Sequence, residues 1–198
     1  MIGAAGILLG LLVEAALSWP ARLYTKIGHP VSWIGLVIRA IETRLNTADQ
    51  TPARLRLSGG VGVCMVLTLA VVPAIAVAAV LPEGWAGTAI GGVLAWPFLA
   101  PRSLFEHVAA VAKPLAKGDT SAARYAVSMI IGRDPDKLDD AAIARASLES
   151  LAENASDGVV APVFWGVVLG LPGIVGYKAI NTMDSMIGHR SVRYRHYG

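Results

Sequence analysis

Two clusters of polar side chains hold the residue types with which this chain could do chemistry. In the first, Glu149, Glu153 and Asp157 recur every four residues with Asn154 beside them. In an α-helix that repeat keeps three carboxylates along one face, drifting about 40° per step. Hard oxygen ligands gathered this way suit Mg²⁺, which takes a couple of carboxylates and fills its octahedron with water and phosphate oxygens. The second cluster, Lys178, Asn181, Asp184 and Ser185, joins a point cation for phosphate to amide, hydroxyl and carboxylate oxygens at helical spacing. Asp184 suits a second metal ligand or a base. Plainer readings compete with these. Arg145 and Glu149 can pair at i,i+4 on a solvated face, and Lys178 can simply snorkel from the end of an apolar run. Position favours chemistry for the first cluster. Asp157 abuts a segment without charge as far as Lys178, where a solvated face would find little water.

Weaker candidates lie elsewhere. Gly132-Arg133-Asp134-Pro135 reads as a turn in which Arg133 and Asp134 bind an anion or cap the next helix. His29, just before Pro30, is a hydrogen-bonded residue at a helix start or, less simply, a participant in the site. Glu14 sits in an apolar run and needs a partner, in the bundle or in the site. His107, His189 and His196 lack metal-ligand spacing. No GxxxxGK[ST] loop, Rossmann glycine pattern or HExxH is present. The DGxxAR pattern of membrane CDP-alcohol phosphotransferases is absent too.

The elements that must position these groups are those of a membrane protein. Of 198 residues, 55% are hydrophobic and 16% charged, against roughly a quarter charged in soluble domains; mean hydropathy is +0.57. The composition reads as an all-α, polytopic integral membrane bundle, a single membrane domain over 1–198. Spans are expected at about 2–19, 58–82, 85–101 and 158–176, with a cytoplasmic amphipathic region over 102–157. The first run lacks the basic start and cleavage site of a signal peptide. Trp19-Pro20 ends it, and Pro82-Glu83-Gly84 turns the second span into the third. The segment from His29 to Asn46 is amphipathic, with Trp33, Ile34, Val37, Ile38, Ile41 and Leu45 on its apolar side. Asp139 or Asp140 caps a later helix through Glu153, with Ile143, Leu148 and Leu151 as its apolar side. Cys64 is the only cysteine, which excludes an intrachain disulfide and a cysteine metal site. The net charge of +3 fits cytoplasmic loops rather than nucleic acid.

Topology contains a conflict. Lys113, Lys117, Arg124, Arg133, Lys137 and Arg145 place 102–157 in the cytoplasm. A single crossing at 158–176 would then put Lys178, Arg190, Arg193 and Arg195 outside. Pro162, Gly166, Gly170, Pro172, Gly173 and Gly176 make the same run the least helix-friendly of the apolar ones. Two readings stand: a simple crossing, or a broken, re-entrant segment that returns to the cytoplasmic side.

The stretch from Gly132 to Gly188, with AENASDG and YKAINTMDSM, resembles the membrane-bound adenosylcobinamide-phosphate synthase (CobD/CbiB) family of cobalamin biosynthesis, and HPVSWIG at His29–Gly35 is similar to that family's early signature. The resemblance covers nearly the whole chain. It implies an ATP-dependent amide ligase that joins aminopropanol, or its phosphate, to a propionate of adenosylcobyric acid, in the bacterial inner membrane. Mg-ATP would be the co-substrate and the corrinoid the acceptor, with membrane lipid and other late cobalamin-assembly enzymes as neighbours. On matching positions, Glu153, Asn154 and Asp157 would hold Mg²⁺ or the amine. Lys178, Asn181 and Asp184, with Ser185 and His29 nearby, would face ATP or the acyl phosphate, and Arg133 and Asp134 a phosphate. Catalysis would then fall to Glu153, Asp157 and Asp184. The chain departs from the family pattern in three ways: Glu14 stands where an aspartate is usual and a GDP turn is lost, Pro135 replaces a hydroxyl residue, and relatives are longer, which implies further helices. A small transporter and a non-catalytic scaffold for corrinoid enzymes are the alternatives from other functional classes.

Overall fold

A computed structural model of the chain describes residues 3–131, 134 and 138–198, and every regular element among them is helical. In order these are α1 (Gly3–Leu17), α2 (Ala21–Ile27), α3 (Pro30–Leu45), α4 (Pro52–Val80), α5 (Gly84–Ala95), a 3₁₀ turn (Trp96–Phe98), α6 (Pro101–Ala116), α7 (Thr120–Ser128), α8 (Asp140–Ala155), a π turn (Ser156–Val160) and α9 (Ala161–Ile187). Caps account for several starts. His29 Nδ1 accepts from Val31 N at 3.2 Å with Pro30 in the first helical position of α3. Asp119 caps α7 through Ala122 N at 2.9 Å, and Asp139, not Asp140, caps α8 through Ala142 N at 2.7 Å.

Two helical runs, Pro52–Val80 and Asp140–Ile187, are long and apolar enough to cross a membrane, and the pair Gly3–Leu17 and Ala21–Leu45, bent by 106°, makes a third. At 29 residues α4 is about 44 Å long, more than the roughly 30 Å hydrocarbon core. Leu12, Leu69, Ile75 and Leu169 stay more than half exposed, a surface that suits hydrocarbon. Helices α1 and α5 pack closely because glycines face each other. A Cβ on Gly92 would lie 2.6 Å from the Gly6 carbonyl oxygen.

The run read either as a simple crossing or as a broken segment is broken at one residue. Gly170 has φ 67° and ψ −149°, a conformation essentially confined to glycine. There the chain doubles back, so a Cβ on Gly166 would lie 3.6 Å from that of Ile174. The uncharged stretches on either side of the break, 158–169 and 171–177, are each shorter than the roughly 20 residues of a crossing. Thus α9 is a helical hairpin, and its apex lies in a core with Ile7, Leu171 and Ile174. A second core joins Ile34, Ile38 and Ile41 of α3 to Val66, Ala179 and Met183, as the α3 apolar stripe requires. Trp33, expected in that stripe, is instead exposed and donates to Ile27 O at 2.7 Å.

Helices α6, α7 and α8 form a satellite around Val111, Ala123, Val127 and Ile143. The buried face of α8 differs from the expected one: Ile143, Ser147 and Ser150 are inside, while Leu148 is 64% exposed. Small side chains let α8 approach closely, and Ser150 Oγ donates to Ile130 O at 3.1 Å. Two buried carboxylates lock distant parts together. Glu14 accepts from Arg102 N at 2.7 Å and Ser103 N at 3.5 Å, capping α6 where Ala100 offers no side-chain acceptor. Glu42 receives Arg193 at 2.8 Å, a contact that raises the guanidinium pKa by hydrogen bonding and charge.

Candidate functional site

The hairpin turns two clusters in sequence into one in space. Asn181 Nδ2 donates to Asp157 Oδ2 at 2.8 Å across 24 residues; a straight helix would part them by about 36 Å. Tyr177 Oη donates to the other Asp157 oxygen at 3.2 Å. The Lys178 ammonium reaches the Asp157 carbonyl at 3.3 Å and Asn181 Oδ1 at 3.2 Å. Four side chains therefore close the open end of the hairpin, and each donor in the set meets an acceptor.

These groups border a cleft of about 510 Å³, whose walls come from α6, α8, the π turn and the second arm of α9. Glu153, Asn154, Asp157, Lys178, Asn181 and Ser185 line it together. Each is held by its own element. Asn154 Nδ2 donates to Ser150 O at 2.8 Å and Ser150 Oγ at 3.1 Å, and Ser185 Oγ donates to Asn181 O at 3.0 Å. The Glu153 carboxylate is exposed in the cleft and has no hydrogen-bond or ion-pair partner among the described residues. It is the carboxylate left available, with the imidazole of His107 on the same cleft.

Other expected residues fall elsewhere. Glu149 is exposed and off the cleft, because the drift of about 40° per four-residue step carries it away from the face of Ser150, Glu153, Asn154 and Asp157. Asp184 is exposed and does not line the cleft; its carbonyl accepts from Gly188 N at 2.9 Å. Asp134 is exposed, and Arg133 lies outside the described residues. His29 caps α3 and faces a neighbouring cavity that also touches Lys178. Tyr177, Ser150, Ser103 and His107 belong to the cleft region although no spacing in the sequence marks them for it. For Tyr177 a signal existed after all, since it lies four residues before Asn181 on the same helix face and both donate to Asp157.

As a metal site the donor set is lean. No three His, Cys, Asp or Glu side chains converge among the described residues. Glu153 and Asp157 could supply two carboxylates, and each Asp157 oxygen keeps a lone pair beyond its one hydrogen bond. That fits Mg²⁺, which retains water and takes phosphate oxygens, and does not fit a closed structural site.

Comparison with known proteins gives a consistent answer. Residues 7–198 match the family described as CobD/Cbib protein. The chain is 59% identical over 187 residues to a cobalamin biosynthesis protein CobD of Rhodobacter capsulatus, covering 94% of this chain and 58% of that protein. It is 42% identical over 193 residues to one of Rhizobium meliloti, covering 97% and 59%, and 44% identical over 196 residues to one of Brucella suis, covering 96% and 58%. The chain thus spans a little under three-fifths of these relatives' lengths. No solved structure matches it.

Proposed function

Since the chain belongs to the CobD/CbiB family, whose relatives are named for cobalamin biosynthesis, we propose that it serves that pathway as a multi-pass protein of the inner membrane, forming an amide between a corrinoid carboxylate and a small amine. The acceptor is a propionate side chain of adenosylcobyric acid, and the amine is aminopropanol or its phosphate. ATP activates the carboxylate.

The observation that carries this reading is the cleft itself, which a carboxylate with no partner among the described residues, Glu153, lines together with Lys178. Amide ligation needs both kinds of group. A carboxylate oxygen first attacks phosphorus, giving a mixed anhydride and expelling ADP or pyrophosphate. The amine nitrogen then attacks the activated carbonyl, the C–N bond forms, and phosphate or AMP departs. One amine proton must leave, and Glu153 is placed to take it. Lys178 and Asn181 neutralise and orient phosphate oxygens, with the Asp157 carbonyl and carboxylate fixing both. Mg²⁺, which Asp157 could hold with water while Glu153 stays available as the base, would screen the triphosphate. Asp184 lies off the cleft and has no step in this scheme.

The hairpin also bears on the transporter alternative. In transporters, broken helices place their unwound backbone at the solute site. Here the break at Gly170 lies in an apolar core with Ile7, Leu171 and Ile174, away from the polar groups. To test the ligase reading, membranes carrying the protein are incubated with adenosylcobyric acid, aminopropanol or its phosphate, and Mg-ATP, and products are weighed by mass spectrometry. The amide is expected only with ATP. Corrinoid uptake into vesicles without amide would overturn it.

A further inference from the structure

The cleft has a neighbour. A second cavity, of about 570 Å³, opens between the end of α1, α2, the start of α3 and the 3₁₀ turn. Ala100, Ser103 and Lys178 line both spaces, so Lys178 belongs to their common wall. Their chemistry differs. The cleft offers carboxylates and amides, whereas the second cavity, beside hydroxyls and a Glu14 carboxylate already engaged by the α6 backbone, is walled by the rings of Trp19, Tyr24, Trp96 and Phe98.

Trp19 anchors that wall. Its ring centroid is 5.1 Å from that of His29 and 5.4 Å from that of Trp96. Its indole nitrogen donates to Gly28 O at 3.2 Å, which fixes the plane of the ring. Fixed π-faces beside a shared cation suit a planar heterocycle that carries an anionic chain: the ring stacks and the anion reaches the ammonium. Size agrees, because small-molecule sites enclose roughly 300–1,000 Å³. A corrinoid with its ring of side chains is far larger than either space, so only one carboxylate arm of it can enter.

We propose that the second cavity holds the nucleoside end of the triphosphate, its base against Trp19 and its phosphates running past Lys178 into the cleft. The assignment rests on the ATP-dependent reading above and adds a division of labour to it. Nucleotide and corrinoid enter by different mouths and meet at Lys178, and Trp19 positions the nucleotide without touching the reacting atoms.

Photolabelling with 8-azido-ATP in membranes carrying the wild-type protein locates the base. ATP-competed label on the segment 18–32 is expected; label confined to the cleft residues Met129, Ile130 or 150–158, or no competed label, overturns the assignment. Kinetics give a second arm. Losing one stacked base should raise the KM for ATP roughly tenfold in Trp19→Ala. Trp19→Phe should recover most of that, and the KM for adenosylcobyric acid should not move. Equal rises in both KM values would overturn the assignment. The two readings fail separately: ATP-dependent amide with label in the cleft sinks only the cavity assignment. Competed label on 18–32 without any amide sinks only the ligase.

Discussion

Exchanging the carboxylate and the amide that close the hairpin should leave its stability nearly unchanged, although each single exchange weakens it. In Asp157→Asn the shape is kept, and the new amide can still meet Asn181 Nδ2 and the Tyr177 hydroxyl. Two bonds to a charged acceptor then become neutral ones, from about 1.5–3 to about 0.5–1.5 kcal/mol each. Allowing for partial exposure, the loss is about 2 kcal/mol. In Asn181→Asp two carboxylates face each other where a 2.8 Å hydrogen bond stood, with Lys178 offsetting part of the repulsion; roughly 1–2 kcal/mol is lost. The double exchange, Asp157→Asn with Asn181→Asp, restores the set. The carboxylate moved to the α9 position accepts from Lys178 and from the amide moved to the π turn, and the oxygen of that amide accepts from Tyr177. Thermal unfolding in detergent, followed by tryptophan fluorescence, reads the cycle. A coupling of about 3–4 kcal/mol is expected, and the double variant should melt roughly 4–8 °C above Asp157→Asn for a chain of this size. Losses that simply add, with coupling under about 0.5 kcal/mol, would refute the contact.

Three further outcomes test the frame. Gly170→Ala forces a side chain into a glycine-only conformation and should cost about 1–3 kcal/mol, read as a lower Tm; an unchanged Tm would contradict the break. Glu14→Ala strips two backbone donors of α6 of their acceptor, at about 1–3 kcal/mol each, whereas Glu14→Gln keeps one acceptor and should recover about half of the Tm loss; equal losses would reject the cap. Spin labels at positions 156 and 185, on a Cys64→Ala background, should report by pulsed EPR the short separation of residues beside the Asp157–Asn181 contact, and about 43 Å would instead mean a straight helix.

Much of this architecture could be read from the chain, for identifiable reasons. The uncharged run between Asp157 and Lys178, rich in glycine and proline and followed by cations, already conflicted with a single crossing, and the hairpin at Gly170 removes the conflict. Helical spacing put Lys178, Asn181 and Ser185 on one face, and they share the cleft. On α8 and the π turn after it, Ser150, Glu153, Asn154 and Asp157 line the cleft at regular helical spacing, and the drift of about 40° per step leaves Glu149 outside it. Apolar character alone misplaced Leu148, because α8 packs through serines. Contacts such as Glu14 with the α6 backbone, or Glu42 with Arg193 across 151 residues, leave no local periodicity to read. The aromatic cavity around Trp19 assembles from three separate segments and has no linear signature.

Turnover of Glu153→Gln bears most directly on the claim that the amide forms in this cleft. The substitution removes the one cleft carboxylate without a partner among the described residues and leaves the hairpin contacts of Asp157 in place. With melting unchanged, the rate of ATP-dependent amide formation should fall by about 10²–10⁴-fold, the usual worth of a positioned general base. A rate within about twofold of the wild type, in a protein that melts normally, would contradict it.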